Sequence, residues 1–292
     1  MRPRDSTRVE ITVEGHLDPR WESEFYGMEL VYKSDGTTVI RGPVTDQAAL
    51  HGLLRRVRDA RMTLLAVKHT SKEQKIGRNK MSNIIVFGAT GRSGSAVIKQ
   101  ALKAGYSVTA FVRDPGKMET SNPKLRVVSG DVLDPASVER AVAGQDAVVS
   151  CLGAGLKGRV RSEGTRNIIR AMERAGVSRL ISQSSLGVGD SRANLNFFWK
   201  RIMFGLLLRK AYADHGVQEK YIRESRLDWT IVRPASLTEE EATGDYLHGF
   251  SPKERNLSLK IALGDLADFV IHELENGSYQ RQAPGLSYAE AR

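Results

Sequence analysis

The sequence predicts an α/β chain in which a doubly wound parallel sheet follows a small α+β module. Three observations carry that expectation. From residue 83 onward, short apolar runs alternate with stretches of helical period. The first of those runs passes through closely spaced glycines straight into a helical pattern. The first 70 residues lack this alternation and set a hairpin pattern beside one amphipathic helix.

In the N-terminal module, "RVEITVEG" (8–15) alternates like a half-buried strand, and "ELVYKSDGTTVIRG" (29–42) reads as two strands around a turn at Ser34-Asp35-Gly36. "TDQAALHGLLRRVRDA" (45–60) puts Leu50, Leu53, Leu54 and Val57 on one helical face, with Thr45 or Asp46 as N-cap. "MTLLAVKH" (62–69) closes the module as a strand. The polar, basic "TSKEQKIGRNK" (70–80) reads as a linker. Met81 then sits where a free-standing protein would start, so the chain reads either as a fusion of two units or as one with an ordinary linker methionine. The domain expectation is 1–70 as the module, 71–81 as linker and 82–292 as the larger domain.

The larger domain offers strands at 83–87, 106–112, 125–129, 146–152, 179–184 and 228–234. Helical patterns such as "SGSAVIKQALKAG" and "SEGTRNIIRAMERAG" lie between them, each ending in glycine as helix C-termini often do. Alternating β and α of this kind implies a parallel sheet with right-handed crossovers.

Composition narrows the function classes. Net charge is +10, but the basic residues are scattered and not interleaved with aromatics, so nucleic acid is not expected as a partner. Cys151 is the single cysteine, which excludes an intramolecular disulfide and suits a reducing cytoplasm. No run reaches the roughly 18 apolar residues of a membrane span. The six histidines show no metal-ligand spacing, so no metal is expected.

"IIVFGATGRSGSAVI" (84–98) is the most informative stretch. Gly88, Gly91 and Gly94 let the chain turn tightly and let backbone approach a pyrophosphate, whose charge the following helix N-terminus favours. A dinucleotide is therefore expected on a Rossmann-like fold. Arg113 ends the second strand where an NAD-preferring site usually carries a carboxylate, and Arg92 lies in the glycine turn. Two guanidinium groups suit a 2′-phosphate, so the expected cofactor is NADP(H). The alternative for Arg113 is a local pair with Asp114.

The turn Gly88-Ala89-Thr90-Gly91-Arg92-Ser93-Gly94 resembles the "GATGxxG" of the atypical short-chain dehydrogenase/reductases. "FVRDPGK" (111–117), "VVSGDVLDPASVERAVAGQDAVVSCLG" (127–153), "SEGTRNIIRAMERAGVSRLISQSS" (162–185) and "YIRESRLDWTIVRP" (221–234) extend the likeness. Together they look most like the NAD(P)H-binding (NmrA-like) group that contains flavin reductase, or biliverdin reductase B. The resemblance covers 81 to about 285 and leaves residues 1–80 outside. It implies Asp131 and Val132 at the adenine, and Cys151, Leu152 and Gly153 at the nicotinamide ribose. It further implies Ser184 beside the nicotinamide, Pro234 in a segment closing nearby, and Ser185 as the serine linked to activity. Without the family, the serine pair is an ordinary loop feature, and Cys151 reads as a small packed residue rather than a nucleophile.

"NLNFFWKRIMFGLLLRK" (194–210) is unusually apolar and aromatic. It reads as a lid placing Phe197, Phe198 and Trp199 over a flat substrate, as a buried helix or dimer contact, or as a membrane-surface segment. The acidic "LTEEEATGDY" (237–246) reads as a solvated loop. In "YADHGVQEKYIRES" (212–225), the usual tyrosine four residues before a lysine is missing, because the position before Lys220 in that register is Gly216. Tyr212 lies about 12 Å along the axis from Lys220. Lys220 remains a candidate for the nicotinamide ribose, against a plain surface role. The expected function is NADPH-dependent hydride transfer to a planar acceptor such as a flavin or biliverdin-like tetrapyrrole. The alternative is a non-catalytic NADP(H)-binding redox sensor acting through a protein partner. A weaker third reading is epimerase- or dehydratase-like. The sequence leaves the oligomeric state open.

Overall fold

A computed structural model describes residues 7–18, 21, 25, 28–32, 36–44, 47–70, 82–118, 121–153 and 159–290. The expected turn residues Ser34 and Asp35, the N-cap at 45–46, the linker from 71 and Met81 lie outside these. The chain forms two compact units, Met1–Lys80 and Met81–Arg292.

The first unit has strands β1 (Thr7–Glu14), β2 (Glu29–Tyr32), β3 (Thr37–Val44) and β4 (Leu64–Thr70), with helix α1 (Gln47–Asp59). The strands form an antiparallel sheet in the order β2-β3-β1-β4. Val9, Ile11 and Val13 alternate onto one face, where they meet Ile40 of β3 and Leu53 and Val57 of α1. This is the hydrophobic seam that the alternation at 8–15 foretold.

The second unit contains β5 (Asn83–Phe87), α2 (Arg92–Lys103), β6 (Ser107–Val112), β7 (Leu125–Ser129), α3 (Pro135–Val142), β8 (Ala147–Ser150), α4 (Val160–Ala175) and β9 (Arg179–Gln183). Then come a π-helical segment (Trp199–Leu207), α5 (Arg209–Glu224), β10 (Asp228–Pro234), β11 (Ser236–Thr238), β12 (Leu247–His248), β13 (Lys260–Ala262), α6 (Leu263–Asn276) and β14 (Gly285–Ser287). The large sheet runs β12-β14-β10-β9-β8-β5-β6-β7, parallel except at β12. This is the Rossmann-like, doubly wound α/β class. Alternate residues of β5 feed opposite layers: Ile84 and Val86 pack with Val97 and Phe269, while Ile85 and Phe87 pack with Ile168 and Ile222. Both faces of the sheet are therefore covered, as a parallel sheet requires. Gly176 caps α4 in the left-handed region (φ 70°) and donates its amide to Met172.

Chain direction across the sheet reverses between β5 and β8. A crevice outside the carboxyl ends of the strands opens at such a switch point. No helix among the described residues is long and apolar enough to cross a membrane.

Candidate functional site

A cleft of about 890 Å³ lies at that switch point. Its glycine side is built by close backbone contact. Gly88 adopts φ 77°, and a Cβ there would lie 2.3 Å from the Cys151 carbonyl oxygen. A Cβ on Gly94 would lie 2.2 Å from the Gly88 carbonyl oxygen. The triad thus lets β5, β8 and the first turn of α2 close on one another. Gly91 is the N-cap of α2, with no side-chain cap and no acidic residue in the first turn. The free amides and the helix dipole are left for an anion.

Gly88, Thr90, Gly91, Arg92, Ser93, Arg113, Asp131, Val132, Cys151, Leu152, Gly153, Ser184, Ser185 and Pro234 all line the cleft. Ala89 and Gly94 are not part of its surface; they pack behind the turn. Arg113 stands exposed at the end of β6 and makes no ion pair with a described residue, Asp114 included; Asp114 caps Gly116 instead. Arg92 pairs with Glu239 at 3.0 Å, so the acidic stretch after β10 touches the site. Asp131 accepts from the Leu133 amide, which shapes the loop after β7. Burial pushes the Cys151 thiol up to about 12, which leaves it a packed, unreactive residue. Gln183 also lines the cleft, and its Oε1 is buried without a donor among the described residues. An uncapped helix end, two arginines and an orphaned carboxamide oxygen fit a dinucleotide.

The α5 side differs from the sequence expectation. The helix runs unbroken through Gly216, and its buried face carries Asp214, Gln218, Glu219 and Ile222. Lys220 falls on the opposite side, exposed, 3.9 Å from Glu224 and outside the cleft lining. Helix phase therefore withdraws the contact anticipated for Lys220, and His215 lines the cleft instead. The Tyr212 hydroxyl donates to the Gly187 carbonyl in the loop after β9. Ser184 Oγ donates to Glu219 Oε1 at 2.8 Å, so that hydroxyl is directed into the protein. Ser185 Oγ donates to the Leu186 carbonyl at 3.2 Å. Of the aromatic trio, Trp199 lines the cleft with Leu195 and Leu208, whereas Phe197 and Phe198 face outward at 73% and 51% exposure.

Burial, and then the Arg161 guanidinium, press the His215 imidazole down from 6.5 to about 4; its Nδ1 lies 3.1 Å from Gln218 Oε1. The ring is neutral near pH 7. The unfolded chain takes up this proton at higher pH than the folded one. Folding stability is therefore expected to fall as pH drops from 6.5 toward 4, approaching a loss of about 3 kcal/mol from this residue. Urea titrations at pH 7 and 4.5 check it: His215→Gln should lose less stability between the two than the parent. The helix phase that turns Lys220 outward brings His215 to the cleft. Among the described residues no cluster of His, Cys, Asp and Glu could hold a metal.

The comparisons agree with this geometry. The family described as NAD(P)H-binding matches residues 88–277, and a family described as a domain of unknown function matches 8–68. A UPF0659 protein of Saccharomyces cerevisiae is 31% identical over 65% of this chain and 86% of its own. A chloroplastic protein of Arabidopsis thaliana is 32% identical over 57% of this chain and 63% of its own, so the match leaves over a third of that relative uncovered. The solved structure of ChuY, an anaerobilin reductase from Escherichia coli O157:H7, is 26% identical and superposes with a TM-score of 0.60 over 72% of this chain and 98% of its own. With the family match spanning more than half the chain and its glycine turn lining the cleft, the protein belongs to the NAD(P)H-binding family.

Proposed function

We propose that this chain is an NADPH-dependent reductase that passes a hydride to a planar acceptor, such as a flavin or a biliverdin-like tetrapyrrole. One observation carries the reading: among the described residues, the acceptor end of the cleft presents no side chain poised to give a proton at neutral pH. Tyr212 is bonded to Gly187, His215 is neutral, the Cys151 thiol is buried and Lys220 lies outside. Ketone reduction needs such an acid; a soft redox acceptor does not. When bound, the nicotinamide supplies the hydride. The chain's own part is to seat a flat apolar ligand against Trp199, Leu195 and Leu208, to offer the Ser185 hydroxyl for orientation, and to exclude water from the floor. A proton can reach the acceptor from the open side. The likeness to an anaerobilin reductase supports the acceptor class. The single cysteine suits a reducing compartment, and the cytoplasm is the one proposed.

The test follows NADPH absorbance with FMN, riboflavin, biliverdin and quinones. At least one is expected to oxidise the cofactor, and Tyr212→Phe is expected to leave that rate within about twofold, under 0.5 kcal/mol of barrier. Cofactor binding with no oxidation by any acceptor would overturn the reading in favour of an NADP(H) sensor. The preference for NADPH rests on Arg113, with Arg92 as its partner. Arg113→Gln should weaken NADPH binding by about tenfold or more and leave NADH binding unchanged. Equal weakening of both, in calorimetric titrations, would remove the role assigned to Arg113.

A further inference from the structure

The proposed reaction leaves Arg161 unused. This residue stands in the first turn of α4, lines the cleft, and has a side chain only 12% exposed. None of its guanidinium nitrogens donates a hydrogen bond to a described residue, and Nε and Nη1 are also sealed from solvent. Its countercharge is Asp214, 4.0 Å from Nη1. That carboxylate is already engaged, because it accepts from the Arg161 and Ser162 amides and from Ser162 Oγ, and so caps α4. A guanidinium with two buried donors that meet no acceptor among the described residues is costly, and a planar fork of this kind matches a carboxylate.

Its neighbourhood says which anion. The pyrophosphate has its own donors at the N-terminus of α2, and Arg92 and Arg113 stand on the β5–β6 side for a 2′-phosphate. Arg161 is tied instead to α5, through the residue preceding His215, on the β8–β9 side where Ser185 and Trp199 line the cleft. We infer that Arg161 recognises a carboxylate carried by the planar acceptor, so that this protein selects acidic acceptors over neutral ones of the same shape. The inference rests on the reductase reading for the presence of an acceptor, and it assigns Arg161 a specificity role rather than a chemical one.

The experiment is a binding titration on full-length protein saturated with NADP+, using biliverdin and its dimethyl ester as probes. Wild type should bind the diacid at least about tenfold more tightly than the diester. Arg161→Gln should abolish that preference while leaving diester affinity and the Kd for NADPH unchanged. Arg161→Lys should restore part of it. Because the variant removes a poorly compensated cation, its Tm should stay level or rise. A wild type indifferent to esterification would overturn the inference. So would a loss of NADPH affinity in Arg161→Gln, which would assign the guanidinium to the cofactor's phosphates, or a lowered Tm with both probes lost, which would make it structural. No turnover is needed for this readout. An acid preference without NADPH oxidation would sink the reductase reading alone, and oxidation without the preference would sink this inference alone.

Discussion

Glu219→Ala is expected to destabilise the second unit by about 3–5 kcal/mol, the usual cost of leaving one member of a buried ion pair alone. Glu219 is 3% exposed on α5 and Arg233 is 1% exposed on β10. They meet in a fork, with Nε donating to Oε1 at 2.9 Å and Nη2 to Oε2 at 2.7 Å. Ser184 adds a third bond to Oε1, at 2.8 Å. Asp190 holds Arg233 Nη1 at 2.6 Å from a more exposed position, so the orphaned guanidinium would keep only a solvent-screened partner. The same cluster fixes the end of β9 against α5 beneath Ser185. Loss of Tm by roughly 10 °C is expected for a unit of this size, together with weakened acceptor turnover. Glu219→Gln should cost less, since it keeps the shape and some of the hydrogen bonds. A Glu219→Ala protein that melts within 2 °C of the parent (about 1 kcal/mol or less) would show that the pair is not the pin described here.

The second large effect is expected at the glycine turn. Gly88→Ala must hold a left-handed φ of 77° and push a methyl to 2.3 Å from the Cys151 carbonyl oxygen. The backbone conformation alone costs about 1–2 kcal/mol, and the opposing atom is main chain that cannot rotate away. Gly94→Ala meets the Gly88 carbonyl oxygen at 2.2 Å. Either change should force β5, β8 and α2 apart and weaken NAD(P)H binding by at least about tenfold, or 1.4 kcal/mol. Gly91→Ala is the control: its Cβ would lie 3.2 Å from the Gly88 carbonyl oxygen, and its φ is −78°. It should bind cofactor far better than the other two. Calorimetry on the three variants settles the order, and equal affinities would refute it.

The cofactor side was legible because its chemistry is written in backbone. Glycines between an apolar strand and a helix leave few other conformations, so the turn, α2 and their placement at the switch point could be read directly. The acceptor side depends on side-chain phase. Two sequence neighbours on α5, Glu219 and Lys220, point to opposite environments, and nothing local distinguishes which of them faces inward. The visible lysine drew attention, whereas burial selects the glutamate because Arg233 arrives from a strand 14 residues later. Arg161 was hidden for a similar reason, since a basic residue in a helical pattern reads as solvated until a cleft is seen beside it. Strands β11 to β14 have two or three residues each, too short for any periodicity to emerge.

The Glu219–Arg233 pair also limits which side chains α5 can present. His215 and Glu219 stand four residues apart on the inward side of α5, the spacing that a tyrosine–lysine pair would need. A lysine at 219 would set a second cation against buried Arg233 and strand both. Installing a tyrosine–lysine pair at 215 and 219 would therefore require the arginine on β10 to change as well. With Arg233 in place, Glu219→Lys is expected to destabilise the second unit.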